Sequence, residues 1–436
     1  MAHGGRIPIL DIAKYHSHRA AFVEELRVAC HTVGFFLIRH DFEPLTGSML
    51  DEARAFFARL LEEKLGISYE DSPSFRSFMQ LGVENTSGRV DYREQVEYAV
   101  EYPKTQQRKR WPAYERLKAT SNTWPTSTRP DLEATTLQYS AAVCAVADAI
   151  RDSLCYALRL DPRAALHDKF FPRRAATTKE GSAADDGEDV PHWVIKLVSY
   201  PPAPASSADG DDGGRRQGVG AHTDTNFLTL VLQDASSAHG YNGGLQAYSQ
   251  GEWIDVVVPL SSADDETMES HRKGDDGDES ASRSVDGSSS YLICNLGEQA
   301  ETWSRGYFLA TPHRVLVRPS TAASSAAPVR RPRTSVPLFY NPALSATMGP
   351  LDEGRLRDSR AGGRPAPPWE RPRGYVRWRR PRDALLPSVG ENTFKSLAWS
   401  HPRVFARHHP DLALTEDGRI VRRPDSEDVG RERVET

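Results

Sequence analysis

The 436 residues predict a mainly β fold with flanking helices. Short apolar runs bounded by turn residues recur between Ile195 and Asn341, which is how buried strands read. Three stretches with apolar residues three and four apart precede them and read as helices. Four segments between the β runs, residues 174–189, 203–218, 262–290 and about 319–331, are rich in Ser, Ala, Gly, Asp and Arg. They carry almost no large apolar side chain to offset the entropy of ordering, so they are expected to be disordered loop insertions that leave the strands intact.

In chain order, residues 7–10 predict a short strand, followed by a helix with Phe22, Leu26, Cys30 and Val33 on one face, ended by Gly34. GFFLIRH reads as a buried strand, and Ser48 to Leu65 as a second helix with a stripe of Leu50, Ala53, Phe57, Leu60 and Leu61. Residues 71–126 read as irregular. Pro130 to Leu160 predicts a long helix through Val143, Val146, Ile150, Leu154 and Leu158 that braces the β core from outside. GGLQAYSQGEWIDV is a hairpin by its Ser-Gln-Gly turn, and YLICNLG and FLATPHRVLV are further strands. Beyond Pro342 a Pro/Arg-rich connector leads to one more helix, GENTFKSLAWSHPRVFARHH, with Asn392 as its cap.

A net charge of −5 with scattered cations gives no nucleic-acid footprint. Cys30, Cys144, Cys155 and Cys294 lie far apart without C-x-x-C spacing and read as reduced core thiols. The start, MAHGGRIPIL, lacks the charged and apolar regions of a signal peptide, and no apolar run is long enough to span a bilayer. A cytoplasmic, monomeric protein with no membrane partner is expected.

The chemistry gathers in AHTDTNFLT. On a strand, His222 and Asp224 project from one face and can converge on one metal ion. H-x-D alone is a weak signal. A third ligand is offered by His313 in TPHRVLV, and two His with one carboxylate form the facial triad of non-haem Fe(II) oxygenases. Twenty residues on, Arg333 and Ser335 share a face in RTSVPLFYNP, where a guanidinium fork beside a hydroxyl suits a carboxylate. Lys196 and Tyr200 in IKLVSYPP stand on the strand before the H-x-D, and Tyr200 is placed to bond the same carboxylate. His192 and His239 lack the required offset, and His401, His408 and His409 are expected to face solvent.

IPILDIAKY, VGFFLIRH, SYPP, HTDTNFLTLVLQD, GGLQAYSQGEWIDV, LICNLGEQAETWSRGYFLATPHRV and RTSVPLFYNP occur in an order that resembles the 2-oxoglutarate/Fe(II)-dependent dioxygenases of the isopenicillin N synthase-like superfamily. The resemblance implies a double-stranded β-helix (jelly-roll) core over residues 190–345 and a helical N-terminal region over 1–126. A bracing helix over 127–173 and a C-terminal extension over 346–436 complete the expected division. It implies Fe(II) on His222, Asp224 and His313, and 2-oxoglutarate held by Arg333, Ser335 and Tyr200. O2 is then the oxidant, and ascorbate an accessory reductant. Family members wall the substrate pocket with the irregular region, so Phe75, Phe78, Tyr92 and Trp124, with Lys196 and Phe227, are expected lining residues. One departure is the interval of twenty residues between His313 and Arg333 where the family usually has about ten; Arg318-Pro319-Ser320 is a nearer R-x-S. Arg333 is preferred because SVPLFYNP follows it, whereas Pro319 would deny a strand a ladder hydrogen bond.

The implied activity is oxidation of a small organic molecule by hydroxylation, desaturation, ring closure or demethylation, with succinate and CO2 as co-products. Three alternatives stand beside it: an oxidase like isopenicillin N synthase that does not use 2-oxoglutarate, a non-catalytic barrel acting as a binding protein, and an enzyme of this fold acting on a protein side chain, against which the loop-lined pocket of the small-molecule branch argues.

Overall fold

Two sheets of unequal size are packed face to face, with helices covering the outer face of the larger one. This computed structural model describes residues 7–86, 88–102, 112–125, 131–172, 189–202, 216–234, 244–259, 290–317, 332–352 and 385–423. Most of the four insertions, with His239 and Arg318, lies outside the described residues.

The strands are β1 (Ile9–Asp11), β2 (Phe35–Arg39), β3 (Ser77–Met79), β4 (Asn85–Thr86), β5 (Arg89–Val90), β6 (Glu94–Ala99), β7 (His192–Tyr200), β8 (Arg216–His222), β9 (Leu228–Gln233), β10 (Leu245–Ser249), β11 (Glu252–Asp255), β12 (Tyr291–Leu296), β13 (His313–Val317) and β14 (Arg333–Asn341). The large sheet runs β1-β2-β12-β9-β14-β7-β6-β3 and the small one β11-β10-β13-β8. Apart from the parallel pair β1–β2, neighbouring strands are antiparallel.

Side-chain alternation separates two cores. Val96, Tyr98, Ile195, Leu197, Leu230, Leu232, Leu292, Cys294, Val336 and Leu338 point outward from the large sheet. They meet Phe22, Leu26, Leu50, Phe56, Tyr139, Val143, Ile150 and Leu154 of the helices Arg19–Thr32, Glu43–Phe57 and Asp131–Ala157. Val198, Tyr200, Phe35, Leu37 and Ile293 point inward, against Val219, Leu245, Ala247, Val315 and Val317 of the small sheet. The hairpin between β10 and β11 turns through Gln250 and Gly251, both with positive φ, the turn type whose twist matches its strands.

Several sequence expectations need correction. The helix expected over Ser48–Leu65 begins at Glu43 and stops at Phe57, and a separate turn of helix covers Leu61–Leu65. Leu60 and Leu61 are therefore exposed, and Phe56 rather than Phe57 fills the core. Residues 71–126 are not wholly irregular, since β6 is an interior strand of the large sheet. Arg216 to Gly218, expected within an insertion, belong to β8.

The C-terminal helix is two helices, Val389–Ser400 and Pro402–His408, broken where the residue before Pro402 leaves the helical region. The first is capped by Ser388, whose side chain accepts the Glu391 N–H; Asn392 instead accepts the Leu386 N–H. His401 and His409 are buried rather than solvent-facing, and His408 Nε2 is bonded to the Glu70 carbonyl. Phe394, Val404, Phe405 and Leu412 form a third core with Phe75, Tyr102 and Leu117. At about 1.5–3 kcal/mol for each large apolar side chain buried, that core fixes the segment onto the body of the protein. Cys30, Cys144, Cys155 and Cys294 are free thiols; burial raises the pKa of each, as expected for inert core residues. Among the described residues no helix is long and apolar enough to cross a membrane.

Candidate metal centre and co-substrate site

His222 ends β8 and His313 begins β13, and the two are directly paired across the small sheet. Asp224 follows two residues after His222, so the three side chains converge, with one ligating atom from each lying within 4.8 Å of the others. Asp224 Oδ1 is 3.5 Å from His222 Nε2 and 3.7 Å from His313 Nε2. The remaining polar atoms are occupied. His222 Nδ1 donates to the Gly220 carbonyl at 2.8 Å and His313 Nδ1 to the Thr311 carbonyl at 3.1 Å. A carbonyl only accepts, so each ring carries a proton on Nδ1 and, when neutral, keeps a lone pair on Nε2. Asp224 Oδ2 accepts from Thr229 Oγ1 at 2.6 Å and Asn295 Nδ2 at 2.8 Å, leaving Oδ1 for a ligand. Outer hydrogen bonds of this kind orient the ligands of a metal site.

The loop carrying Asp224 is fixed by the short helix Glu298–Trp303, whose first N–H groups donate to the carbonyls of Asp224 and Asn226. A Cβ on Gly297 would lie 2.1 Å from the Asn226 carbonyl oxygen, so only glycine permits that approach. Phe35 closes the other side, edge-on to His313 at 5.3 Å.

Register places the second group of residues on the inner face of the large sheet. Arg333 pairs with Tyr200, and Ser335 with Val198 and Gln233. The Arg333 guanidinium lies 4.6 Å over the Tyr200 ring and donates through Nη2 to Gln233 Oε1 at 3.0 Å. Its Nε and Nη1 are buried without a partner. Two orphaned donors of a fixed cation are costly unless an anion completes them. Tyr200 reaches across to the small sheet, where a Cβ on Gly218 would meet its ring at 3.0 Å.

The expected pocket residues divide. Lys196 shares the inner face and pairs with Glu97 at 2.5 Å. Tyr92 packs on the core between the sheets, under the Arg216 guanidinium. Four others are packing residues. Phe75 lies in the C-terminal core against Phe394 and His409, Phe78 and Phe227 are fully buried in the outer core, and Trp124 stacks on Tyr98 at its margin. Aromatic composition alone does not separate a pocket wall from a core. Sequence reasoning missed Thr229 and Asn295, although both alternate with apolar neighbours near a strand end; Thr229 follows the motif closely, whereas Asn295 comes from a strand far along the chain.

The chain matches the N-terminal model of non-haem dioxygenases in morphine synthesis over residues 7–127, and the 2OG-Fe(II) oxygenase superfamily over 192–264. The two matches, in this order along the chain, support a 2OG-Fe(II) oxygenase. The oxygenase is 28% identical over 351 residues to the 2-oxoglutarate-dependent dioxygenase frbJ of Dothideomycetidae sp. (strain 11243), covering 79% of this chain and 77% of that one. It is 27% identical to homoarginine-6-hydroxylase 2-ODD-C23 of Glycine max, over 80% of this chain and 90% of that one. In fold it resembles a full-length Neurospora crassa protein solved in complex with alpha-KG, at TM-score 0.56 and 19% identity, over 82% of this chain and 93% of that one. The oxygenase is thus an oxidoreductase that uses Fe(II) and 2-oxoglutarate.

Two results are expected of the centre. Thr229→Val keeps the shape of the side chain but removes its hydrogen bond to Asp224 Oδ2, and should weaken Fe(II) binding roughly ten- to a hundred-fold. Titration calorimetry under anaerobic conditions measures this; unchanged affinity would show that Asn295 alone orients the carboxylate.

The second concerns pH. For His222, burial opposes the charged form, but the hydrogen bond and attraction of Asp224 outweigh it and raise the pKa. Burial, then the charge of His222, pushes His313 down to about 4. Burial works against ionised Asp224, yet the two histidines hold its pKa well below the carboxylate range. His222 therefore keeps its proton to the highest pH of the three, and a metal must displace it. Mn(II) affinity should fall as pH drops through the raised pKa of His222 and level off above it; a flat profile through that window contradicts the assignment.

Proposed function

We propose that His222, Asp224 and His313 hold the Fe(II), and that Arg333, with Ser335 and Tyr200 beside it, holds the far carboxylate of 2-oxoglutarate. The observation that carries this reading is the division of labour at the triad: His222 Nε2, Asp224 Oδ1 and His313 Nε2 converge while the other polar atoms of the three side chains are tied down. The orphaned Nε and Nη1 of Arg333 support the co-substrate assignment. The two facing sheets are read as a double-stranded β-helix, with the triad at one end of the space between them.

When bound, Fe(II), 2-oxoglutarate and O2 supply the oxidising chemistry, with succinate and CO2 as co-products. The protein's part is positioning and exclusion of water. Thr229 and Asn295 keep Asp224 oriented. Arg333 offers a planar fork to the carboxylate, and the aliphatic residues between the sheets keep the surroundings dry, so that this charged contact is strong.

The substrate is proposed to be a free small organic molecule, turned over by a cytoplasmic monomer with no nucleic-acid or membrane partner. Relatives are named as hydroxylases of homoarginine, and the Neurospora crassa fold neighbour was solved with thymine or 5-formyluracil. Succinate formation by the purified chain with Fe(II) is the test. It should require added 2-oxoglutarate; oxygen consumption without that requirement would overturn the reading.

A further inference from the structure

The inner face of the large sheet continues past Arg333 and Tyr200 onto Lys196 of β7 and Gln95 and Glu97 of β6, all by register. Apolar side chains fill the equivalent positions nearer the centre, so this polar corner requires an account. Glu84, Asp91 and Arg93 join it from the chain around the β4–β5 hairpin, and His401 from the C-terminal segment.

The hairpin lies directly on β8 just before the triad. Asp91 Oδ1 accepts from the Gly220 N–H at 3.2 Å and Gln217 Nε2 at 2.9 Å, and its Oδ2 from Thr86 Oγ1 at 2.8 Å. A Cβ on Gly220 would be 2.8 Å from Thr86 Cβ, and the charge of Arg93 is felt at His222. The polar corner is therefore a neighbour of the metal centre.

Within it, some groups satisfy one another and two do not. Glu97 accepts from Gln95 Nε2 at 2.8 Å and pairs with Lys196 at 2.5 Å, and nearby Lys64 pairs with Glu94 at 2.7 Å. Glu84 and Arg93, each with only 14% of its side chain exposed, stand 3.7 Å apart. Arg93 is also 3.6 Å from Asp91, and Glu84 is 3.5 Å from His401 Nε2; none of these is a hydrogen bond. Glu84 Oε1 and Arg93 Nε are buried without a hydrogen-bond partner. An ion pair kept for structure closes to bonding distance, because only good geometry repays the desolvation of both charges. The neighbouring pairs have closed, and this one has not. Burial opposes the charge on Glu84, but Lys196, Arg93 and His401 outweigh it, so the carboxylate is ionised.

We propose that Glu84 and Arg93 receive the substrate, and that it is a small zwitterion of α-amino-acid type, its ammonium on Glu84 and its carboxylate on Arg93. One such head group completes both side chains at once. This deepens the function proposed above and rests on its assignment of the triad and Arg333.

The test uses the full-length chain with Mn(II) and 2-oxoglutarate, and probes it with the twenty standard L-amino acids by thermal shift and titration calorimetry. At least one amino acid should bind. Its 2-hydroxy-acid analogue, which replaces the ammonium by a hydroxyl, should bind roughly ten- to a hundred-fold more weakly. Glu84→Gln should weaken the amino acid and erase most of its advantage over the hydroxy acid, and Arg93→Met should weaken both ligands alike. Each variant must still show the rise in melting temperature that 2-oxoglutarate gives, which establishes that it is folded. Absence of binding by any amino acid, or a Glu84→Gln variant that still discriminates fully, overturns the proposal. Failure of 2-oxoglutarate itself to bind the wild-type chain would instead strike the reading on which it rests.

Discussion

Asp224→Ala is expected to abolish Fe(II)-dependent succinate formation while leaving the fold intact. Loss of an orienting group around a metal ligand costs about 10–100-fold, so removal of the carboxylate proposed as a ligand should exceed ~100-fold. Asp224 also receives hydrogen bonds from Thr229 and Asn295, which are left unsatisfied in the variant. That costs stability of order 1–3 kcal/mol, small enough for the chain to stay folded at moderate temperature. Succinate release and circular dichroism, measured together, separate the two effects. A folded Asp224→Ala enzyme that retains turnover removes this carboxylate from the site.

The second large effect is expected at Arg333. A charged, paired contact in a partly dry site contributes roughly 1.5–3 kcal/mol, so Arg333→Ala should weaken 2-oxoglutarate by about ten-fold to more than a hundred-fold. Lys cannot reproduce the planar fork, and Arg333→Lys should suffer too, though less. Arg318→Ala should change the affinity far less. The 2-oxoglutarate concentration dependence of succinate formation in the three variants decides. A large loss at Arg318 with little at Arg333 would transfer the anchor to the nearer R-x-S.

Much of this arrangement could be read in the sequence because apolar alternation and metal-ligand spacing are both local signals. His222 and His313 fall at strand ends, and their cross-strand pairing follows from β8 and β13 being neighbours; Asp224, expected on the same strand as His222, lies instead in the loop just beyond it. The long helix over Asp131–Ala157 was legible from its apolar spacing. What escaped was structure whose reason is tertiary. The strand EQVEYA reads as a polar loop because one of its faces, carrying Gln95 and Glu97, looks toward the site rather than into an apolar core. His401 and His409 read as solvated on a terminal helix. They are buried because residues 385–414 pack on Phe75 and its neighbours, far away in sequence. The same packing removes Phe75 from the expected pocket wall. No local pattern announces that Glu84 and Arg93 remain open to each other while the ion pairs around them close.

The most direct measurement is a crystal of the full chain grown anaerobically with Fe(II) and 2-oxoglutarate, with anomalous data collected at the iron edge. The account predicts a single iron peak bounded by His222 Nε2, Asp224 Oδ1 and His313 Nε2, with the far carboxylate of 2-oxoglutarate on the Arg333 guanidinium. An iron peak elsewhere, or 2-oxoglutarate bound with Arg333 unengaged, would contradict it.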